Sequence, residues 1–224
     1  RRAAQTAEGE WIRAANYDEF HLREKRPPTA RELDRAAPHH PVILMHRTSS
    51  HCVLNSLGLQ RASITRDTPD RPGGTIHRDP VTGEPSGQII GRNAQVEAAL
   101  PPIAADELIR GMKLATGQFL AHGITSLQDT GWNNGLRHWQ EWRRLIECGA
   151  AVCRVSVLMG IDALDELPEA GLSMDAGDSR LRIGGIKLAL DESTGCAAPP
   201  QEDVNRQALR AARAGFSIGL HVSD

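Results

Sequence analysis

Cysteine, aromatic side chains, an excess of one charge and long apolar runs are all scarce in this 224-residue chain. Its four cysteines, Cys52, Cys148, Cys153 and Cys196, are too few and too irregularly spaced for a disulfide framework, and none forms a CxxC pair. A reducing, cytoplasmic setting is therefore expected. With 4% aromatic residues, the core must be largely aliphatic. The 26 Lys and Arg against 28 Asp and Glu leave a net charge of -2, without the basic excess that grips a phosphate backbone. Nucleic acid is not an expected partner. The longest apolar stretches, at 41–45 and 186–190, are strand-sized, far short of the roughly 20 residues of a bilayer span. No membrane partner is expected either.

Two signature motifs are missing and a third is out of its usual setting. Neither GxGxxG nor GxxxxGK[ST] follows a strand, which argues against a nucleotide site, and GxSxG occurs only at Gly215 to Gly219, where it leads from a helix into a strand and not from a strand into a helix as a nucleophile elbow does. Cys52 beside His51 lacks the strand-to-helix setting that lowers a thiol pKa. Covalent serine or cysteine hydrolysis is not expected.

What is present is alternation. From residue 105 the chain reads as helix, strand, helix, strand. Leu108, Met112, Ala115 and Phe119 line one helical face ending at Gly123, and Ile124 to Asp129 follow as a strand. Asn134 to Cys148 reads as a helix, Val152 to Leu158 as a strand, and Ile161 to Ala170 as a short helix. Leu181 to Leu190 is again a strand, Glu202 to Ala214 a helix, and Phe216 to Asp224 the last strand. Such alternation implies parallel strands, in an open sheet or a (β/α)₈ barrel, with chemistry at the strands' C-terminal ends. There lie Asp129, then Lys187 with Asp191, then His221 with Asp224. The final strand stops where a catalytic loop is due, so the expectation is part of a longer protein or a half completed by another chain.

The first hundred residues differ. Thr29 with Glu32 forms a capping-box pattern, Val42 to Met45 a strand, and the segment around Thr82-Gly83 a tight β-hairpin. Two regions are expected, residues 1–104 and 105–224.

The motifs Trp11-Ile12, Tyr17-Asp18-Glu19, Pro28-Thr29 with Glu32-Leu33-Asp34, Pro41-Val42, His51 with Asn55-Ser56, Pro72-Gly73-Gly74 and Pro85-Ser86-Gly87 occur in a familiar order. With Gly123-Ile124-Thr125-Ser126, Ile186-Lys187-Leu188 and Leu220-His221, this order resembles amidohydrolase family 3, in particular its YtcJ-like metal-dependent hydrolases. The resemblance implies a (β/α)₈ barrel represented by its strands two to five, preceded by a mixed α+β insertion region. It further implies hydrolysis of non-peptide C–N bonds, in amides or N-substituted formamides, with one or two divalent ions, zinc being the expected metal. Lys187, carboxylated, and His221 are the implied metal ligands; the family's remaining ligands fall on strands that this chain does not show. Ser49-Ser50-His51 stands where the family often has Asp-Gly-His, and Asp191-Glu192-Ser193 where it often has Asp-Gly-Ser.

Each candidate has a plainer alternative. Lys187 sits in an apolar strand, where a charge is costly unless aimed at a polar site; it is a ligand, or it reaches solvent or pairs with Asp191 or Glu192. His221 is a ligand or a satisfied core residue, and Asp224 holds the His221 ring by a hydrogen bond or, the favoured reading, caps a following helix. Asp129 faces the metal mouth or begins a turn. His51 and Asn55 approach substrate or belong to a surface loop. His39-His40 reads as a pair of solvated loop residues, and Trp139 with Trp142 as packing. Two rival functions remain: a Schiff-base lyase using Lys187, and a non-catalytic scaffold. The expected partners are a small amide-type substrate and either further copies of the chain or the rest of the barrel; the isolated chain is expected to have little activity.

Overall fold

A computed structural model describes residues 2–70, 74–91, 94–174, 176–191 and 199–223. The chain is mixed α/β and divides after Pro102 into two compact units. Asp224, Glu192, Ser193 and Cys196, named above, lie outside the described residues, as do Pro72 and Gly73.

The first unit is a five-stranded sheet in the order β1-β2-β3-β5-β4, built from β1 (Ile12–Tyr17), β2 (Val42–His46), β3 (His51–Leu54), β4 (Gly74–Arg78) and β5 (Pro85–Gly91). Only β1 and β2 run parallel. The apolar positions of β2, β3, β4 and β5 pack Ile43, Leu54, Ile76 and Ile89 into one core with Leu59 and Ile64. Helix α1 (Ala30–Ala36) begins in the expected capping box: Glu32 N–H donates to Thr29 Oγ1, and Thr29 N–H donates to Glu32 Oε2. The hairpin expected near Thr82-Gly83 is β4–β5, whose turn carries Gly83 at φ +74°. Helices α2 (Ser56–Arg61) and α3 (Ala94–Ala99) complete this unit.

The second unit is a four-stranded parallel sheet in sequential order: β6 (Ser126–Asp129), β7 (Arg154–Gly160), β8 (Leu181–Asp191) and β9 (Ile218–Ser223). Helix α4 (Ala105–Ala121) precedes β6, α5 (Leu136–Glu147) links β6 to β7, and α6 (Gln201–Arg213) links β8 to β9. One face of the sheet carries Val155, Val157, Met159, Ile183, Ile186 and Leu188, packed with Trp139, Ala211 and Phe216. Trp139 is core, as its spacing suggests. The helix expected over 161–170 is instead a 3-10 turn, Ile161–Ala163, followed by further turns. Its hydrogen bonds run to the third residue back, and Pro168 has no N–H with which to continue a helix.

The phase of β8 is set by a bulge. Val157 pairs with Ile183 but Leu158 with Gly185, so Gly184 is the extra residue. Gly185 has φ +131°, and a Cβ there would lie 2.5 Å from the Ser217 carbonyl oxygen. The bulge lets Ile183 and Ile186 both enter the helix-facing core, which turns Lys187 toward the other face.

Candidate functional site

Lys187 and His221 share that other face of the parallel sheet. Lys187 pairs with Gly219 and Ala189 with His221, so the two side chains are diagonal neighbours on adjacent strands. Lys187 is buried, at 8% exposure. His221 is exposed. Leu158 lies on the same face, its side chain against the positions of Gly184 and Gly219. A buried amine beside an imidazole is a donor set that can hold a divalent cation once the amine is neutral or carboxylated.

Asp129 is not on this face. It pairs with Val157 and so points to the helix side. There Oδ1 accepts from the Asn134 amide at 2.9 Å and the Gly131 N–H at 3.0 Å, while Oδ2 accepts from the Trp142 indole at 2.7 Å. Burial acts to raise its pKa, but these three donors outweigh it and hold the carboxyl below its ordinary value. Asn134 is itself buried and also donates to the Leu158 carbonyl at 3.0 Å. Asp129 thus joins strand, loop and helix, and Trp142 is held by a polar bond as well as by packing.

Asn55 is fully buried in the first unit. Its Oδ1 accepts from Val42 N–H at 2.8 Å and from Gly58 N–H at 2.9 Å, and its Nδ2 donates to the His40 carbonyl at 2.8 Å. It caps α2 and ties that cap to the start of β2. A substrate would find no free edge of this amide. His40 likewise departs from the solvated reading: it is 6% exposed, with Nδ1 3.2 Å from the Glu10 carbonyl, whereas His39 is exposed as expected.

His51 stands in a cluster. His46 ends β2 and His51 begins β3, one step beyond the Met45–Cys52 pair, so the two imidazoles stack with centroids 3.9 Å apart. Glu19 Oε2 lies 3.1 Å from His46 Nε2. Tyr17 packs edge-on to both rings. A bulge places it there: Asn16 adopts φ 69°, and the β1–β2 register shifts so that Tyr17 pairs with His46. Burial, with the Glu19 charge next, pushes the Tyr17 hydroxyl up to about 12. Burial, with His46 next, lowers the His51 pKa, against a smaller opposing pull from Glu19.

A model of the amidohydrolase family matches residues 1–224. The chain belongs to the amidohydrolase family. It is 26% identical over 240 residues to an N-substituted formamide deformylase of Arthrobacter pascens, in an alignment covering 95% of this chain and 44% of that protein. Protein YtcJ of Bacillus subtilis (strain 168), named as an amidohydrolase, is 29% identical over 125 residues, or 55% of this chain and 23% of that one. The fold resembles the crystal structure of an uncharacterized metal-dependent hydrolase from Pyrococcus horikoshii, with a TM-score of 0.62 at 21% identity over 96% of this chain and 45% of that one. The amidohydrolase chain described here thus spans less than half the length of these relatives.

Two members of the His51 cluster, Glu19 and His46, were not among the candidates read from this amidohydrolase sequence. The signal for His46 was available: apolar runs on both sides of His46-Arg47-Thr48-Ser49-Ser50-His51 describe a hairpin whose closing residues are both histidine. Glu19 carried no such signal, because its position depends on the bulge at Asn16 and on the Asp18–Arg47 ion pair at 2.7 Å.

Proposed function

We propose that this chain is part of a metal-dependent hydrolase that cleaves non-peptide C–N bonds in amides or N-substituted formamides. In this reading β6 to β9 are strands two to five of a (β/α)₈ barrel, the first unit is an insertion ahead of strand two, and the working protein is cytoplasmic. The observation that carries it is the pairing of buried Lys187 with His221 on one face of adjacent parallel strands, in a chain whose full length matches the amidohydrolase family. A relative named as an N-substituted formamide deformylase supports the substrate class.

Lys187 and His221 would be two of the ligands, zinc being the proposed metal. A divalent ion held there supplies Lewis acidity toward a carbonyl oxygen. The protein's own contribution begins with placement: Lys187 is buried on the face of the sheet that it shares with His221. The Gly184 bulge fixes the face on which that group stands. His51 is proposed on the substrate side; Asp129 is proposed to act through position, holding the β6–α5 loop by its bonds to Asn134 and Trp142. On this reading the isolated 224-residue chain is nearly inactive, because two ligands do not make a catalytic centre.

The test uses the longest natural protein containing this sequence. Release of formate and amine from an N-substituted formamide should require a divalent metal and fall by at least about a hundredfold in Lys187→Ala and in His221→Ala. Turnover that survives both chelation and both substitutions overturns the reading. Borohydride trapping of a carbonyl substrate on Lys187 would favour the Schiff-base lyase instead.

A further inference from the structure

We propose that Glu19, His46 and His51 of the first unit bind one divalent transition-metal ion, with zinc the best match to the donor set. Three ligand atoms from these residues all lie within 4.8 Å of one another, and two imidazoles with one carboxylate is a set typical of zinc. The Glu19 to His46 separation of 3.1 Å is close to the edge of a tetrahedron with ligand bonds of zinc length, which is about 3.3 Å for bonds of roughly 2.0 to 2.1 Å. One edge of the coordination polyhedron is therefore already in place.

The outer nitrogens of both rings are occupied by a chain of hydroxyls. His46 Nδ1 lies 2.7 Å from Thr48 Oγ1, Thr48 Oγ1 lies 2.6 Å from Ser50 Oγ, and Ser50 Oγ lies 2.9 Å from His51 Nδ1. A hydroxyl accepts a hydrogen bond as readily as it donates one, so His51 Nδ1 can carry its proton outward to Ser50, while His46 Nδ1, which here accepts from the Thr48 N–H at 3.3 Å, must give up that contact to carry its proton to the Thr48 hydroxyl. That leaves both Nε2 lone pairs for a metal, the arrangement in which a ligating histidine is held by its other nitrogen. Ser50 stands in the Ser49-Ser50-His51 segment, where the resembling family often has Asp-Gly-His, and it contributes the hydroxyl that reaches His51.

A second observation points to an occupant. Tyr17 Oη is buried without a hydrogen-bond partner, and Glu19 Oε2, though 3.1 Å from His46 Nε2, is buried without a hydrogen bond of good geometry. Tyr17 is only 6% exposed and lies edge-on to both imidazoles. Buried polar atoms without partners are rare and costly. A cation with its coordinated water would satisfy the carboxylate and give the phenol a partner. Binding requires the stacked rings to open so that both Nε2 atoms converge; His46 is buried, whereas His51 sits half-exposed at the mouth of the hairpin and has the more room to turn about its contact with Ser50. The bound ion would fasten the β2–β3 hairpin to the end of β1.

The experiment titrates the chelator-treated 224-residue chain with Zn²⁺ by calorimetry and with Co²⁺ by visible absorption. The double variant Lys187→Ala/His221→Ala, which removes the ligands of the proposed hydrolytic centre, should still bind one equivalent and gain thermal stability with it. In that background Glu19→Gln and His51→Gln should each weaken binding at least about tenfold, with the metal-free far-UV spectrum unchanged. Should Glu19→Gln fail to fold, His51→Gln at its half-exposed position decides alone. Loss of all binding in the double variant, or binding unaffected by the first-unit substitutions, overturns the proposal. Failure of the formamide assay leaves this measurement untouched, and the reverse also holds.

Discussion

Each unit hangs a junction on one buried asparagine, and the two are built from different partners. Asn55 bonds only neutral backbone: Val42 N–H, Gly58 N–H and the His40 carbonyl. Asn134 bonds the Leu158 carbonyl and the Asp129 carboxylate, and that carboxylate also receives Gly131 and Trp142. The first junction has no titratable member, whereas the second contains a charge. Equal burial therefore does not mean equal sensitivity to pH, because only the second network changes its proton count on unfolding.

The sharpest way to break the comparison is to delete both amides. Asn55→Ala strands two buried N–H groups and a carbonyl and should cost about 3 kcal/mol or more. Asn134→Ala leaves a carboxylate that keeps two other donors and should cost less, about 2 kcal/mol. Urea unfolding followed by circular dichroism measures both. Three of the four tryptophans, Trp132, Trp139 and Trp142, lie in the second unit, so fluorescence follows the Asn134 variant more directly. Equal losses would remove the distinction.

A smaller effect, about 1 to 2 kcal/mol, is expected for Asp129→Asn, which sets an amide against the Trp142 indole donor. Its pH dependence carries the information. The folded carboxyl titrates below its ordinary value, so the unfolded chain takes up the proton first. The contribution is complete above about pH 4 and is lost as pH falls through the lowered folded value. The gap in unfolding midpoint between wild type and Asp129→Asn should therefore narrow below about pH 4, while the Asn55→Ala gap stays flat. A gap independent of pH would show that Asp129 acts by shape alone.

The smallest effect belongs to Thr29→Ala. It removes one side of the α1 capping box but leaves Glu32 held by Arg26 at 2.7 Å; about 1 kcal/mol is expected. A loss as large as that of Asn55→Ala would mean that α1 is as critical a junction as α2.

These elements also show what a sequence reveals. The Thr29-Glu32 box is legible because both its bonds span three residues. The β/α alternation of the second unit is legible because α4, α5 and α6 each end beside a glycine of positive φ: Gly123, Gly149 and Gly215. By contrast β1 is buried only at Ile12 and Tyr17, with four exposed residues between, so it lacks the period-two pattern of a strand. The site divides in the same way. Lys187 and His221 are found from the ends of regular strands, but the direction of Asp129 depends on pairing parity with Val157, a tertiary property. Asn55 shows an N-cap pattern followed by a helix, yet its depth comes from β2 and from the chain at His40. Glu19 reaches His46 only through a left-handed Asn16.

The paired glycines of β8 have a further meaning. A strand is a two-state counter, and every side chain after a given point takes its facing from the count. Gly184-Gly185 resets that count once, three residues before Lys187, where steric demands are lowest. Everything downstream, Lys187 and Ala189 on one face and Ile186 and Leu188 on the other, inherits the reset. Deleting one glycine would leave the composition of β8 almost unchanged while exchanging its two faces, putting a lysine into the aliphatic core and isoleucine where the amine had been. The facing of Lys187 thus rests on a parity bit stored in two residues without side chains.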